Sequence, residues 1–398
     1  MKSALLRDEL LRARAHKDRL LALVSEETLY ARPIPDRHRL IFYLGHLDAF
    51  DWNQLARGAM SERPFHPEFD RLFEAGIDPP GGQAPQDRES DWPRIDAVRK
   101  YLRQARERLD ELWDDVPVER RHVALEHRWM HAETLCYLLH QLPASSKRRL
   151  ASRTGPAAPP PAPDLLEVSA GRTSLGQRPD AFGWDNEFPA FETDLPAFAI
   201  DRYKVTNAQY LHFVADGGAP PPFWLQRDGR WWLRRMFDEV PLPASAPVYV
   251  THRQASAYAE WSSAELPTEA QWHRAAYGES ADPFPWGNAE PTARQGHFDS
   301  SGWDPVPVTS HPAGASPCGA EQMVGNGWEW TSTVFAGFRR FEPRDYYPGY
   351  SQDFFDGEHW VLKGASPRTA RPLLRRSFRN WFRADYPFAY SAFRLVRN

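Results

Sequence analysis

The segment Glu126-His127-Arg128-Trp129-Met130-His131 carries two imidazoles four residues apart. On a helix that spacing puts both on one face, about one turn apart, where they can grip a single ion. A third nitrogen is available from His46 in Tyr43-Leu44-Gly45-His46, which sits mid-helix in an otherwise apolar stretch. A histidine in the middle of an apolar helix is costly unless it has a partner. Three neutral nitrogens with open positions suit Fe(II), Zn, Ni or Cu, so ligand type does not choose the metal. The same residues also fit a plainer reading, in which His127 and His131 are surface or capped histidines. Spacing leaves both readings open.

The elements that must position these residues are helical. Residues 1–150 show apolar positions at helical spacing, first Leu5, Leu6, Leu10 and Leu11, then Leu20, Leu21 and Val24. A second helix is expected over about 37–57, with Leu40, Tyr43, Leu44, Leu47 and Phe50 on one side. A polar loop rich in proline and glycine follows over 63–91. A third helix is expected from Asp91-Trp92-Pro93 (an N-cap with proline in the first turn) to about Asp114. The fourth runs from about Pro117 to Leu142, and four helices with one long connection predict a four-helix bundle. Residues 151–163, ASRTGPAAPPPAP, form a proline-rich linker with nothing to bury. From Asp164 onward short β-rich segments (165–168, 198–200, 248–250, 360–362 and 392–396) alternate with long loops. Helices are expected at 207–215 and 252–262, capped by Thr206 and Thr251. That pattern is α+β.

Composition narrows the class. The chain has 398 residues, 41% hydrophobic and 26% charged, so a core of useful size is available. The net charge of −4 gives no electrostatic case for nucleic acid or an anionic membrane. No apolar run reaches the length of a membrane span, and the charged start MKSALLRDELLRARAHKDRL lacks the apolar region of a signal peptide. Two cysteines, Cys136 and Cys318, suit a reducing compartment. A cytoplasmic protein that acts on small molecules is expected. The 16 tryptophans and 37 prolines suggest a domain of ordered loops pinned by aromatic side chains.

The motifs after Asp164 carry a resemblance. Phe182-Gly183-Trp184-Asp185-Asn186-Glu187, Asp201-Arg202-Tyr203-Lys204-Val205-Thr206-Asn207, Leu266-Pro267-Thr268-Glu269-Ala270-Gln271-Trp272, Val324-Gly325-Asn326-Gly327-Trp328-Glu329-Trp330-Thr331 and Ala392-Phe393-Arg394-Leu395 occur in order. They resemble the formylglycine-generating-enzyme (sulfatase-modifying factor) fold over 164–398. Most of these motifs read as holding the fold. The copper-binding cysteine pair that formylglycine generation requires is missing, since no cysteine follows Cys318. A DinB-like bundle with His46, His127 and His131, followed by this fold, resembles the ergothioneine-type sulfoxide synthases and their selenoneine-forming relatives. The resemblance implies Fe(II) on the three histidines, O2 as co-substrate and hercynine as acceptor, joined at imidazole C2 to sulfur or selenium.

The family pattern also implies roles for other residues. Asn380 and Trp381 match positions facing hercynine, Met130 is a candidate substrate-binding residue, and Tyr346 or Tyr347 lies where these enzymes place a proton-delivering tyrosine. Glu133 is assigned a supporting role or a place on the helix surface, and Trp129 or Met130 is expected to line the pocket. The chain departs from the γ-glutamylcysteine-using enzymes in two places. The segment from Phe73 to Gly82, with Asp78, offers carboxylates and prolines where those enzymes offer arginines. Phe382 stands where they carry an aspartate. A neutral, hydroxyl-rich selenosugar suits this pattern better than a doubly charged thiol. The alternative is a sulfur enzyme using cysteine or γ-glutamylcysteine. A metal-dependent thiol transferase and a non-catalytic binding protein are the remaining readings.

Overall fold

In the first unit, α1 (Ser3–Leu21), α2 (Leu40–Asp51), α4 (Ile95–Leu112) and α5 (Val118–Gln141) form the long helices, with a short α3 (Pro67–Leu72) in the connection. The structure is a computed structural model that describes residues 3–74, 85–150 and 158–398. The chain divides into two compact units, Met1–Leu150 and Ala151–Asn398.

Burial explains the helix patterns. On α4 the buried positions Ile95, Val98, Tyr101, Leu102, Ala105 and Leu109 make one apolar stripe, as an outer helix requires. All residues of α2 are buried, and α5 is buried almost continuously from Val123 to His140. Such all-round burial marks the central helices of the bundle. On α1, Leu6 and Leu10 enter the core, whereas Leu5 and Leu11 face solvent at 54% and 49% exposure. The four leucines therefore do not share a face, because 100° per residue carries 5 and 11 around the helix. The second helix continues beyond Asp51 as a π-helical stretch, Trp52–Ala59. The third begins at Ile95 after Arg94, which caps with no side-chain bond. Asp91 instead closes a short 3-10 turn, Glu89–Asp91. The loop expected over 63–91 contains α3, which starts at Pro67.

The second unit is α+β. An antiparallel sheet has strand order β1–β4–β12, from Leu165–Val168, Phe198–Asp201 and Val396–Arg397. The four-stranded sheet runs β10–β9–β8–β11, from Asn380–Arg383, His359–Ala365, Gly327–Val334 and Ser391–Ala392. Two smaller sheets pair β2 (Gly171–Leu175) with β3 (Phe191–Leu195), and β5 (Trp224–Arg227), β6 (Arg230–Arg234) and β7 (Glu239–Pro241). Helices α6 (Asn207–Ala215), α7 (His252–Trp261) and α8 (Glu269–Tyr277) each start from a threonine with glutamine three residues on, at 206/209, 251/254 and 268/271. Each pair satisfies two orphan amides reciprocally. The expected strand at 248–250 is absent. Its amides bond singly to Val205 and Ser391 carbonyls, giving extended chain without a ladder. The expected strand at 392–396 splits between β11 and β12, which lie in different sheets.

Four family motifs meet at one buried carboxylate. Glu329 of β8 accepts from Arg394 Nε at 2.7 Å, Lys204 Nζ at 2.7 Å and Trp272 Nε1 at 3.1 Å. All four side chains are at most 2% exposed. Two cations and an indole N–H thus compensate a carboxylate removed from water, and Lys204 is pushed down to about 8 by its burial. These residues tie β8, α8, the segment before α6 and the C-terminal segment into one core.

Histidines 252, 273 and 297 of this unit are buried and held neutral. Burial pushes His252 and His297 down to about 4, and His273 well below its ordinary value. In the unfolded chain each takes a proton near pH 6.5, so the stability from keeping them neutral is complete above that pH and is lost as pH falls toward their folded values. Thermal midpoints of the metal-free protein are expected to fall from pH 7.5 to pH 6, above the ordinary carboxylate range. A flat or rising profile there would contradict this burial.

Candidate metal centre

His46 sits in the middle of α2, and His127 and His131 lie one turn apart on α5. One nitrogen of each lies within 4.8 Å of the others, and all three residues are buried. The ring centroids are 5.2 Å apart for His46 and His127, 4.9 Å for His46 and His131, and 4.4 Å for His127 and His131. His46 Nδ1 lies 2.7 Å from the Phe73 carbonyl, and a carbonyl can only accept. Nδ1 therefore carries the proton, and the lone pair is on Nε2, which is buried with no hydrogen-bond partner. A buried acceptor left unsatisfied costs about 1–3 kcal/mol, and a cation held at this point would remove that cost. The Nδ1 atoms of His127 and His131 are likewise buried without partners.

The surroundings keep the imidazoles neutral and therefore able to ligate. Burial pushes His46 down to about 4 and His127 and His131 well below their ordinary values, and the neighbouring imidazoles add to the effect on both. Phe50 stacks on His127 at 3.5 Å and 15°, and Phe42 on His46 at 4.7 Å and 22°. The chemistry of the set, three neutral imidazoles in an apolar lining, fits a divalent transition metal.

The three ligands come from two helices, and a buried ion cluster holds those helices in register. Asp48, two residues after His46, accepts from Lys17 Nζ of α1 at 2.6 Å, Arg106 Nε of α4 at 2.9 Å and Arg128 of α5 at 2.7 Å. Arg128 follows His127 directly and also binds Asp51 at 2.6 Å and the Leu47 carbonyl at 3.2 Å. Asp48 thus touches the other three long helices. These cations hold it well below the usual carboxylate range despite its burial, whereas Asp51, with fewer of them, is pushed up to about 6.

The other expected residues fall into separate places. Met130 is partly exposed, while Trp129 turns to α1, donating to Glu9 at 2.7 Å with Arg12 over its ring at 4.5 Å. Trp129 is thus occupied by α1. Glu133 is buried, so a place on the helix surface is excluded. Asp78 and the rest of its loop from residue 75 lie outside the described residues. In the second unit Asn380, Trp381 and Phe382 lie on β10, each partly buried. Trp381 stacks on Phe335 at 4.2 Å and 8°, and Phe382 on Tyr386 at 4.7 Å and 4°. The two tyrosines diverge. The Tyr346 hydroxyl donates to the Gly183 carbonyl beside Phe182. Tyr347 packs near Trp184 and Tyr350, and Tyr350 stacks on Trp184 at 4.0 Å and meets Trp381 edge-on at 5.4 Å. Tyr350 lies between Tyr347 and Trp381, and Phe182 lies between Tyr346 and Trp184 at 5.6 and 6.1 Å. Sequence reasoning missed Tyr350, Asp48, Arg128 and Phe73, none of which has a spacing signature.

The fold and the histidine cluster define a two-domain protein with a metal-competent helical bundle and an α+β domain rich in ordered loops. Family models agree with that description. The DinB superfamily model matches residues 9–239, and the sulfatase-modifying factor enzyme 1-like domain matches 151–398. The two matches overlap over 151–239, but the helical bundle ends at Gln141 and strands begin at Leu165, so the overlap belongs to the second unit. A hercynine oxygenase of Mycolicibacterium thermoresistibile is 34% identical, over 90% of this chain and 86% of the relative. One of Mycolicibacterium smegmatis is 33% identical, over 98% of this chain and 97% of the relative. Ergothioneine biosynthesis protein 1 of Schizosaccharomyces pombe is 27% identical over 94% of this chain, which spans 54% of that protein. The chain belongs to the family of these DinB and sulfatase-modifying-factor-like proteins.

Removing the charge of Asp48 while keeping its shape leaves Lys17 and Arg128 buried with less compensation. The Asp48→Asn variant is expected to lose about 3–5 kcal/mol of stability, read as a lower urea midpoint with native helicity in dilute buffer. Unchanged stability would show that the cluster does not hold the bundle.

Proposed function

We propose that the chain is a mononuclear non-haem iron enzyme that uses O2 to join imidazole C2 of hercynine to the sulfur of cysteine or γ-glutamylcysteine. The observation that carries this reading is the buried trio of neutral imidazoles, with His46 Nε2 lacking a protein partner. The relatives named hercynine oxygenase and ergothioneine biosynthesis protein support the substrate class. His46, His127 and His131 would hold Fe(II), which supplies a redox centre for O2 chemistry and for gathering the reactants. In the overall balance the imidazole C–H and the thiol S–H bonds break and a C–S bond forms. One oxygen atom ends on sulfur as a sulfoxide and the other in water.

The chain's own residues would bind, orient and exclude water. Phe42 and Phe50 keep water from the imidazoles, and the Phe73 carbonyl fixes the His46 tautomer. Met130 flanks His131 as a candidate substrate contact. Asn380 and Trp381 are assigned to hercynine. An aromatic face suits its trimethylammonium group. Tyr346 or Tyr347 is assigned as the proton donor, and the Tyr346 hydroxyl donates to the Gly183 carbonyl.

One observation favours a second donor. Phe382 stacks on Tyr386 and makes an apolar aromatic face at the position where the resemblance expects an aspartate. Such a face lacks the carboxylate that would pair with the ammonium group of a thiol amino acid and suits a 1-selenosugar, with C–Se replacing C–S. Asp78 would then serve the sugar hydroxyls. The test is anaerobic reconstitution with Fe(II), then O2, with hercynine and equal amounts of cysteine, γ-glutamylcysteine and the selenosugar. Mass spectrometry is expected to show a hercynine adduct that His127→Ala and His131→Ala abolish. A sulfur adduct supports the first reading and a selenium adduct the second. No adduct from iron-loaded protein would sink both.

A further inference from the structure

We infer that Gly45 and Phe73 act as a pair that sets the orientation of His46; the inference rests on the metal site proposed above. Gly45 lies inside α2, where alanine is the better helix former. Its backbone there is ordinary helix, so glycine is not needed for a special conformation. What a side chain would meet is the Phe73 ring. A Cβ on residue 45 would lie 2.4 Å from two of its carbons and 2.6 Å from a third, closer than side chains approach one another.

The ring has little freedom to retreat. Phe73 is fully buried, with Phe69, Tyr101 and Trp92 at 5.6, 6.1 and 6.2 Å between ring centroids. Its amide is held too, donating to the Phe69 carbonyl at 3.0 Å at the end of α3. With ring and amide fixed, the remaining polar group of Phe73, its carbonyl, meets His46 Nδ1 at 2.7 Å. The same residue therefore packs on Gly45 and holds the tautomer of the adjacent His46. A methyl group at 45 would push Phe73 away and weaken the bond that presents Nε2. Loss of such a supporting bond to a ligating histidine typically lowers metal affinity about 10–100-fold.

The test is a double-mutant cycle on Co(II) affinity, read from the ligand-field absorption in competition with a chelator, with far-ultraviolet circular dichroism and thermal midpoints of the metal-free proteins. Gly45→Ala is expected to bind Co(II) about 10–100-fold more weakly with its helicity retained. Phe73→Ala is expected to bind weakly as well, and Gly45→Ala/Phe73→Ala to match Phe73→Ala, because a methyl group at 45 has nothing to displace once the ring is gone. A Gly45→Ala variant that binds like the parent, or additive effects in the double variant, would overturn the inference. So would a change in thermal midpoint without a change in affinity, which is what packing alone would give. If Gly45→Ala does not fold, Phe73→Ala decides, and parental affinity in that variant is the contrary result. A parent chain that binds no Co(II) would remove the metal site itself.

Discussion

The bundle is organised around Asp48. A carboxylate taken out of water is strongly unfavourable unless cations and hydrogen bonds replace the solvent. Lys17, Arg106 and Arg128 reach Asp48 from the other three long helices, so their relative positions are fixed wherever the carboxylate is compensated. Because Asp48 follows His46 by two residues and Arg128 follows His127 directly, fixing the ion cluster also fixes the imidazoles. Hydrophobic burial alone would allow α2 and α5 to slide or rotate by small amounts. Short, charge-assisted bonds with defined geometry allow much less. The charged cluster and the neutral imidazoles occupy neighbouring parts of the bundle, yet they serve opposite needs. One is compensated internally, whereas the other keeps unsatisfied nitrogens available for an ion.

The second unit repeats the device with different residues. Glu329 draws Lys204, Trp272 and Arg394 from distant parts of the chain into one buried cluster. The motifs that identify the sulfatase-modifying-factor fold are thus largely the parts of a single core. That leaves the chemistry to residues nearby that the core positions. Arg379 shows the connection, because it bonds Glu269 at 3.1 Å and the Asn186 carbonyl at 3.0 Å while its neighbours Asn380 and Trp381 open β10. The candidate substrate residues are therefore held by a rigid core on one side of the strand.

Much of the site was legible in the sequence because its signals are local. His127 and His131 declare themselves by their spacing, and His46 by its apolar neighbours. The two capped helices at 207 and 252 follow from threonines placed before helical patterns, and α8 carries the same threonine–glutamine signature at 268 and 271. Other features have no local trace. Asp48, Lys17 and Arg128 read as surface charges until the helices are assembled. Gly45 reads as a weakness in a helix until Phe73 is seen against it. Leu5 and Leu11 look like core residues, but their angle around the helix places them outside. The segment 248–250 is β-rich in composition, yet its partners are single backbone groups of two different elements, and composition cannot report that. The bond from the Tyr346 hydroxyl to a backbone carbonyl more than 160 residues away likewise has no local trace.

The central claim is that His46, His127 and His131 form one iron site. The most direct measurement is anaerobic titration of the metal-free chain with Fe(II), followed by removal of loose metal and determination of iron per chain. The parent and the His46→Ala, His127→Ala and His131→Ala variants would be compared, with folding checked by circular dichroism. One tightly held iron per parent chain, lost or strongly weakened in each folded variant, is the predicted result. Iron retained at the parental level when any one of these histidines is removed would contradict the account.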